Sequence, residues 1–336
     1  MKAMLTTAHG DRSVLAYRDD YPAPSTGPGE VVLDVAACAV NFHDVFTRRG
    51  MPGIKLDLPV VVGSDIAGTV SALGDGVDAQ WQGKRVLVDP VYFHDGKPHM
   101  IGETVDGGRA EQVAVPAANL IELPDSVSFE AAASLPLAYG TAWRMMVTIG
   151  KVSAGEKVLV LGASGGVGVA CVQIAKLCGC EVLACASSES KLERLREVGA
   201  DHVHNYVDAP FREGVRDVFG KPRLDGSGGV NVAVNFTGGD TMGDTQRCVA
   251  KGGRILTCGA TAGYDLKIDA RYWWSYEHQM LGSDGWERGD LEALVALIAE
   301  GKLDPVIDKV LPISETAEAE RMMEDREVFG KILLTP

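Results

Sequence analysis

Positive charge is what this chain lacks most. Lysine and arginine number 32 against 46 aspartates and glutamates, a formal net charge of −14. Such a chain is a poor candidate for nucleic acid or an anionic membrane surface, because its own field repels polyanions. A local positive pocket for a phosphate-bearing ligand is still compatible with it. No membrane span is expected. The one long uncharged stretch, residues 158–175, holds Gly162, Gly165, Gly166 and Gly168 near its start and reads as strand, turn and helix. Residues 1–5 lack the apolar run of a secretory leader, so a soluble cytoplasmic protein is expected. The seven cysteines are odd in number, and Cys178 and Cys180 stand too close for the usual zinc pair. Buried free thiols are the expectation.

What is present points to two domains. A chain of 336 residues is long for one, and 46% apolar with 23% charged residues is an ordinary globular composition. The first third reads as β-rich, with strand candidates at 31–40, 60–70, 85–88 and 110–115 separated by glycine turns. From residue 157 the pattern changes. Strands at 157–161, 181–186, 202–205, 230–235 and 254–257 alternate with helices at 166–178 and from 189, the latter stopped by Gly199. That alternation predicts an α/β unit with a parallel sheet. Later, Asp290 and Ser314 each read as the cap of a helix, and 331–334 as a last strand.

The sharpest motif is Gly162-Ala163-Ser164-Gly165-Gly166-Val167-Gly168, which follows the apolar strand Val158-Leu159-Val160-Leu161 and opens a helix. Glycines spaced three apart let the backbone turn tightly and let a pyrophosphate approach the helix N-terminus, where unpaired N–H groups and the helix dipole favour an anion. An NAD site wants an acid about twenty residues further on, bonding the ribose hydroxyls. Ala186 stands there instead, followed by Ser187, Ser188 and Lys191. Hydroxyls and a cation suit a 2′-phosphate, which points to NADP(H). One of the two serines also reads as a helix N-cap.

Further segments carry a family resemblance. They are Ala39-Val40-Asn41-Phe42-His43-Asp44, Val62-Gly63-Ser64-Asp65-Ile66-Ala67-Gly68, Asp106-Gly107-Gly108-Arg109-Ala110-Glu111, Gly140-Thr141-Ala142-Trp143, Val198-Gly199-Ala200-Asp201 and Gly330-Lys331. With the glycine cradle, they make the chain resemble the medium-chain dehydrogenase/reductase superfamily along essentially its whole length. The resemblance implies a GroES-like β-barrel catalytic domain built from 1–125 and 266–336, with a Rossmann doubly wound parallel sheet at 126–265 inserted between them. It places the active site where the nicotinamide meets the barrel. It also implies a homodimer or homotetramer paired through Rossmann edge strands, with 254–268 as the candidate edge.

Zinc members of that superfamily hold a catalytic metal at positions matched here by Asn41, Ser64 and Leu137, with Asp65 beside Ser64. Leucine cannot bind zinc, and asparagine and serine bind it poorly. The four-cysteine structural lobe is missing too: residues 89–108 contain no cysteine, and His94 and His99 do not make a site. No metal is expected. The pattern resembles the zinc-free quinone oxidoreductase and enone or enoyl reductase branch. The tyrosine that enoyl thioester reductases carry shortly after this stretch is absent from residues 45–51.

The expected activity is therefore NADPH-dependent hydride transfer to a small molecule, a quinone or activated alkene. A zinc-free carbonyl or alcohol oxidoreductase and an NADPH-binding protein with an interaction role are the alternatives. Without a metal, hydrogen-bond donors must steady the developing oxyanion. His43 is the first candidate donor and Tyr139 the second. Asn41, Ser64 and Tyr92 are candidates for the substrate pocket, and Asp44 for ordering the barrel. By resemblance Thr141, Tyr206, Gly238, Cys258, Gly259, Ala260 and Lys331 join the cradle, Ser187, Ser188 and Lys191 around the cofactor.

Overall fold

The fold was obtained as a computed structural model that describes residues 1–51, 56–94 and 96–336. The chain forms two compact units, Met1–Ala138 with Leu291–Pro336, and Tyr139–Asp290. The second interrupts the first, as the resemblance implies, but its ends lie later than 126 and 266. At the near end, the Tyr139 hydroxyl donates to Gln173 of the inserted unit at 2.7 Å. At the far end, the strand Gln279–Gly282 pairs in parallel with Val249–Thr257, which keeps the chain in the inserted sheet well past 266.

The inserted unit is one six-stranded sheet in which every pairing is parallel. Numbered along the chain, its strands are Lys157–Val160, Glu181–Ala186, His202–Asn205, Val230–Val234, Val249–Thr257 and Gln279–Gly282. They lie in the spatial order 3-2-1-4-5-6. That is the Rossmann order, with its reversal point between the first and fourth strands. The central strands are short runs of Val, Leu and Ala, buried because helices cover parallel sheets on both faces. Gly166–Leu177 is the first such helix, and Glu189–Val198 the next, ending at Gly199 with φ +114. The edge strand is Gln279–Gly282, not the 254–268 segment. Residues 254–257 lie one strand further in, paired on both sides.

The split unit is built on a seven-stranded sheet. Its longest strand, Glu30–Val40, pairs with Asp65–Leu73, Gln112–Pro116 and the C-terminal strand Lys331–Thr335. Val31, Leu33, Ile66, Val86, Val113 and Leu120 fill the core beneath it. Segments from before and after the insertion thus meet in one sheet. A short helix, Phe42–Arg49, leaves the end of the long strand. A second, Thr316–Glu324, is capped at Glu315, one residue beyond the expected Ser314. Asp290 likewise lies inside the helix Arg288–Ala299 and not at its cap: it sits in the first turn and accepts from the Glu287 N–H at 2.9 Å.

A buried ion chain ties these helices together. Arg109 donates to Asp44 and to Glu320, each at 2.6 Å, and Arg48 donates to Glu320 at 2.6 Å and Glu324 at 2.7 Å. Asp44, Arg48, Arg109 and Glu320 are all buried. Buried charges persist only when paired and hydrogen-bonded, so this chain fixes the helix Phe42–Arg49 firmly to the C-terminal helix. Asp44 orders the fold, as expected.

Candidate functional site

Six loops follow the carboxyl ends of the six parallel strands, and every expected cofactor residue of the inserted unit except Thr141 lies on or beside one of them. In open parallel sheets ligands bind outside those ends, at the reversal point. Gly162, with φ +64, turns the chain directly after the first strand. Gly168 is needed for closeness: a Cβ there would sit 2.3 Å from the Gly162 carbonyl oxygen. Gly165 differs from both. It is exposed, it caps the helix Gly166–Leu177 with extended backbone and no side-chain bond, and a Cβ on it would meet nothing nearer than 3.8 Å. Open space over uncapped helical N–H groups fits a pyrophosphate. Ala163 is pinned by its N–H to the Cys185 carbonyl at 3.1 Å, and Ser164, Gly166 and Val167 lie half-buried around the turn.

After the second strand, Ser188 is the N-cap of Glu189–Val198. Its hydroxyl pairs with Ser190 at 3.2 Å and does not cap the helix. Ser187 and Lys191 are half-buried beside it. The nearby Glu189 carboxylate is drawn to Arg196 at 3.2 Å. Tyr206, after the third strand, is partly exposed and its N–H bonds the Ala186 carbonyl at 3.1 Å, which places it next to the serines. After the fourth strand, buried Asn235 accepts from the N–H groups of Thr237 and Gly238 at 2.9 and 3.1 Å and shapes that loop. A pocket of about 450 Å³ opens there, lined by Gly238, Cys258, Gly259 and Ala260 together with Met242, Tyr264, Met280, Gly282 and Ser283. The last five were not anticipated. Met280, Gly282 and Ser283 come from the short edge strand and the residue after it. Burial pushes the Cys258 thiol up to about 12, so it stays protonated and acts as a lining atom. Thr141 opens the short helix Thr141–Trp143, half-buried.

Tyr139 does not keep the role expected of it. It is 1% exposed and its hydroxyl is committed to Gln173, so it packs the inserted unit instead of facing a substrate. Trp274 and Tyr272 belong to the helix Ala270–Ser275, where Trp274 is exposed and Tyr272 stacks on Tyr276 at 5.2 Å.

In the split unit Asn41 and Asp65 both bond the Lys331 ammonium. Lys331 Nζ donates to Asn41 Oδ1 at 2.5 Å, to Asp65 Oδ2 at 3.3 Å and to the Val40 carbonyl at 3.3 Å. Asn41 Nδ2 donates to the same Asp65 oxygen at 2.9 Å, and the Leu137 N–H to the other at 2.9 Å. Lys331 is 2% exposed and Asp65 0%. Three acceptors satisfy the three donors of an ammonium. The Lys331 ammonium is thus held inside its own unit, and both ends of the Asn41 amide are engaged. Ser64 is also buried, and its Oγ has no hydrogen-bond partner among the described residues. Burial raises the Asp65 carboxyl above its usual range even though Lys331, Asn41 and the Leu137 N–H oppose it.

His43 lies at the second position of the helix Phe42–Arg49, half-buried, with Nε2 2.7 Å from Glu103 Oε2. Burial alone lowers its pKa. The hydrogen bond to Glu103 and the charges of Asp44, Glu103 and Asp65 outweigh that, and the net shift is upward. Glu103 was not anticipated. Tyr92 is on the hairpin of Val91–His94 with Lys97–Met100, half-buried and stacked on His99 at 5.3 Å. The side chain of His94 lies outside the described residues.

A Rossmann sheet with a glycine cradle, inserted into a second β-rich unit, defines a nucleotide-dependent oxidoreductase architecture. Residues 27–125 match the alcohol dehydrogenase GroES-like domain and residues 166–300 the zinc-binding dehydrogenase domain. The synaptic vesicle membrane protein VAT-1 homolog of Rattus norvegicus is 30% identical, over 100% of this chain and 84% of its own length. The quinone oxidoreductase of the same species is 30% identical over 99% of this chain and 97% of its own. The crystal structure of an NAD-dependent alcohol dehydrogenase superimposes with a TM-score of 0.91 at 36% identity, over the whole of both chains. The chain belongs to the medium-chain dehydrogenase/reductase superfamily, in its quinone oxidoreductase-like branch. No helix among the described residues is long and apolar enough to cross a membrane.

Proposed function

We propose that the protein is an NADP(H)-dependent, zinc-independent reductase that transfers hydride to a quinone or an activated alkene. The observation that carries this reading is the closed arrangement of Asn41 and Asp65 around Lys331. A fixed ammonium bonds Asn41, one of the positions matched to zinc ligands, and Asp65 beside another, and like charges repel. The cofactor reading rests on the Gly162–Gly168 turn for the pyrophosphate and on Ser187, Ser188 and Lys191 for a 2′-phosphate, with Tyr206 near the adenosine. Gly238, Cys258, Gly259, Ala260 and Thr141 take the nicotinamide side.

A bound reduced nicotinamide supplies the hydride. The chain's own part is to receive the charge that develops on the substrate oxygen. His43, cationic over a wider pH range than an ordinary imidazole, places a proton-donating charge there, and donors aimed at a developing oxyanion lower barriers by about 3–4 kcal/mol each. A cytoplasmic location and pairing through the edge strand Gln279–Gly282 into a homodimer or homotetramer belong to the same proposal.

One observation favours a second reading, an NAD-dependent alcohol or carbonyl oxidoreductase: the 36% identity to an NAD-dependent alcohol dehydrogenase of known structure. Titrating NADPH and NADH separately, then following oxidation of the bound one against quinones, enones, enoyl thioesters and aldehydes, tests both. Preference for NADPH with turnover confined to quinones or alkenes supports the proposal. NADH preference with aldehyde turnover supports the second reading.

A further inference from the structure

Glu103 stands 60 residues from His43 and shares no motif with it, yet the two are brought to 2.7 Å by parts of the split unit that are rigid for separate reasons. On one side, His43 follows a capping box in which the Asn41 N–H donates to Asp44 Oδ2 at 2.8 Å, and Asp44 is itself held by Arg109. On the other, Glu103 sits in a turn closed by the Glu103 and Thr104 N–H groups on the Met100 carbonyl, at 3.1 and 3.0 Å, and by the Gly102 N–H on the Val105 carbonyl at 3.0 Å. That turn is packed backbone to backbone. A Cβ on Gly102 would lie 2.6 Å from the Gly63 carbonyl oxygen, and one on Gly107 would lie 2.3 Å from the same atom. The main chain that carries each partner is thus held in place, that of His43 by the capping box and that of Glu103 by the packing of its turn against Gly63.

The Glu103 side chain is 15% exposed and that of His43 31%. An ionised carboxylate only accepts, so the shared proton is the one on Nε2. Nδ1 of His43 has no hydrogen-bond partner among the described residues. The charged groups acting on the ring are Glu103, Asp44 and Asp65.

We infer that Glu103 is a positioning residue that holds His43 by Nε2–H and so makes Nδ1 the atom through which His43 gives its proton to the substrate. The inference rests on the reductase reading above. In the step, the Nδ1–H bond of the imidazolium breaks and an O–H bond forms on the substrate oxygen that has gained negative charge. The electron pair left on Nδ1 makes the ring neutral in its Nε2–H tautomer, still bonded to Glu103. Solvent restores the Nδ1 proton, the ring being partly exposed. The same pairing fixes the ring's rotation, since a flip about χ2 would put Cε1 in the place of Nε2 and break the bond to Glu103.

The test compares wild type, Glu103→Gln and Glu103→Ala, with His43→Asn to assign the His43 signals. Long-range proton–nitrogen correlation spectra of histidine-labelled full-length protein, recorded above the His43 transition, report the tautomer. Wild type and Glu103→Gln, which keeps an acceptor oxygen, are expected as Nε2–H, and Glu103→Ala as a mixture. In turnover, Glu103→Ala is expected to lower kcat about tenfold to a hundredfold with KM little changed, a part of what a general acid contributes. Glu103→Gln is expected to recover part of that rate, with its alkaline fall displaced to lower pH. A wild-type Nδ1–H tautomer, or one unaltered in Glu103→Ala, overturns the inference. So does an altered tautomer with unchanged kcat, which leaves the reductase reading standing. If wild type turns over no acceptor, the reductase reading fails and the proton-transfer role of Nδ1 falls with it, while the spectra still decide the pairing.

Discussion

Replacing Lys331 by methionine removes the cation and keeps most of the side-chain volume. The structure sets the size of the effect. Asp65 is 0% exposed and would keep only the Asn41 amide and the Leu137 N–H as partners. Breaking a buried pair from one side costs about 3–5 kcal/mol. The two surviving hydrogen bonds put the expected loss at about 3 kcal/mol. The loss has a pH signature. The Asp65 carboxyl is already raised by burial, and without Lys331 it rises further. A folded pKa above the unfolded one means the native state binds the proton more tightly, so stability falls as pH rises through that window and returns as pH falls. Urea unfolding followed by tryptophan fluorescence, at about pH 7 and about pH 5.5, should show the deficit shrinking at the lower pH. The double variant Lys331→Met with Asp65→Asn should recover to within about 1 kcal/mol of wild type. A single-variant loss below about 1 kcal/mol, or one indifferent to pH, refutes the reasoning.

Other consequences are as direct. Gly168→Ala must push a methyl against the Gly162 carbonyl, 2.3 Å away, so it should lower stability by about 1–3 kcal/mol and weaken NADPH binding by fluorescence titration. Gly165→Ala meets no protein atom within 3.8 Å and should unfold like wild type, yet lose about tenfold or more in NADPH affinity because its methyl fills the pyrophosphate's place. Tyr139→Phe should cost about 1 kcal/mol through the lost bond to Gln173 and leave kcat unchanged; a collapse of kcat would return Tyr139 to the reaction. Lys191→Glu should weaken NADPH by about tenfold to a hundredfold and spare NADH, measured by the ratio of their dissociation constants.

Legibility in the sequence followed the range of each interaction. The glycine cradle was readable because strand, turn and helix N-terminus fall within twelve residues, with Gly162 and Gly168 answering local steric needs. The helix Phe42–Arg49 was missed, although Asn41, Asp44 and the left-handed Gly50 mark its ends, because eight residues between β-rich segments carry little apolar period. The edge strand Gln279–Gly282 has only Met280 and Leu281 as apolar residues and went unread, so the far end of the inserted unit came out early. Nothing local signals that Lys331 reaches Asp65, 266 residues away, or that Glu103 reaches His43. Tyr139 shows the complementary limit: sequence position brings a tyrosine near a pocket or into a core alike, and only burial decides.

Hydride transfer without a metal is decided by elemental analysis and turnover measured on one chelator-dialysed preparation. Substoichiometric zinc with full NADPH-dependent reduction of a quinone or enone, unchanged when zinc is added back, is the expected result. Activity that disappears on dialysis and returns with stoichiometric zinc would contradict it.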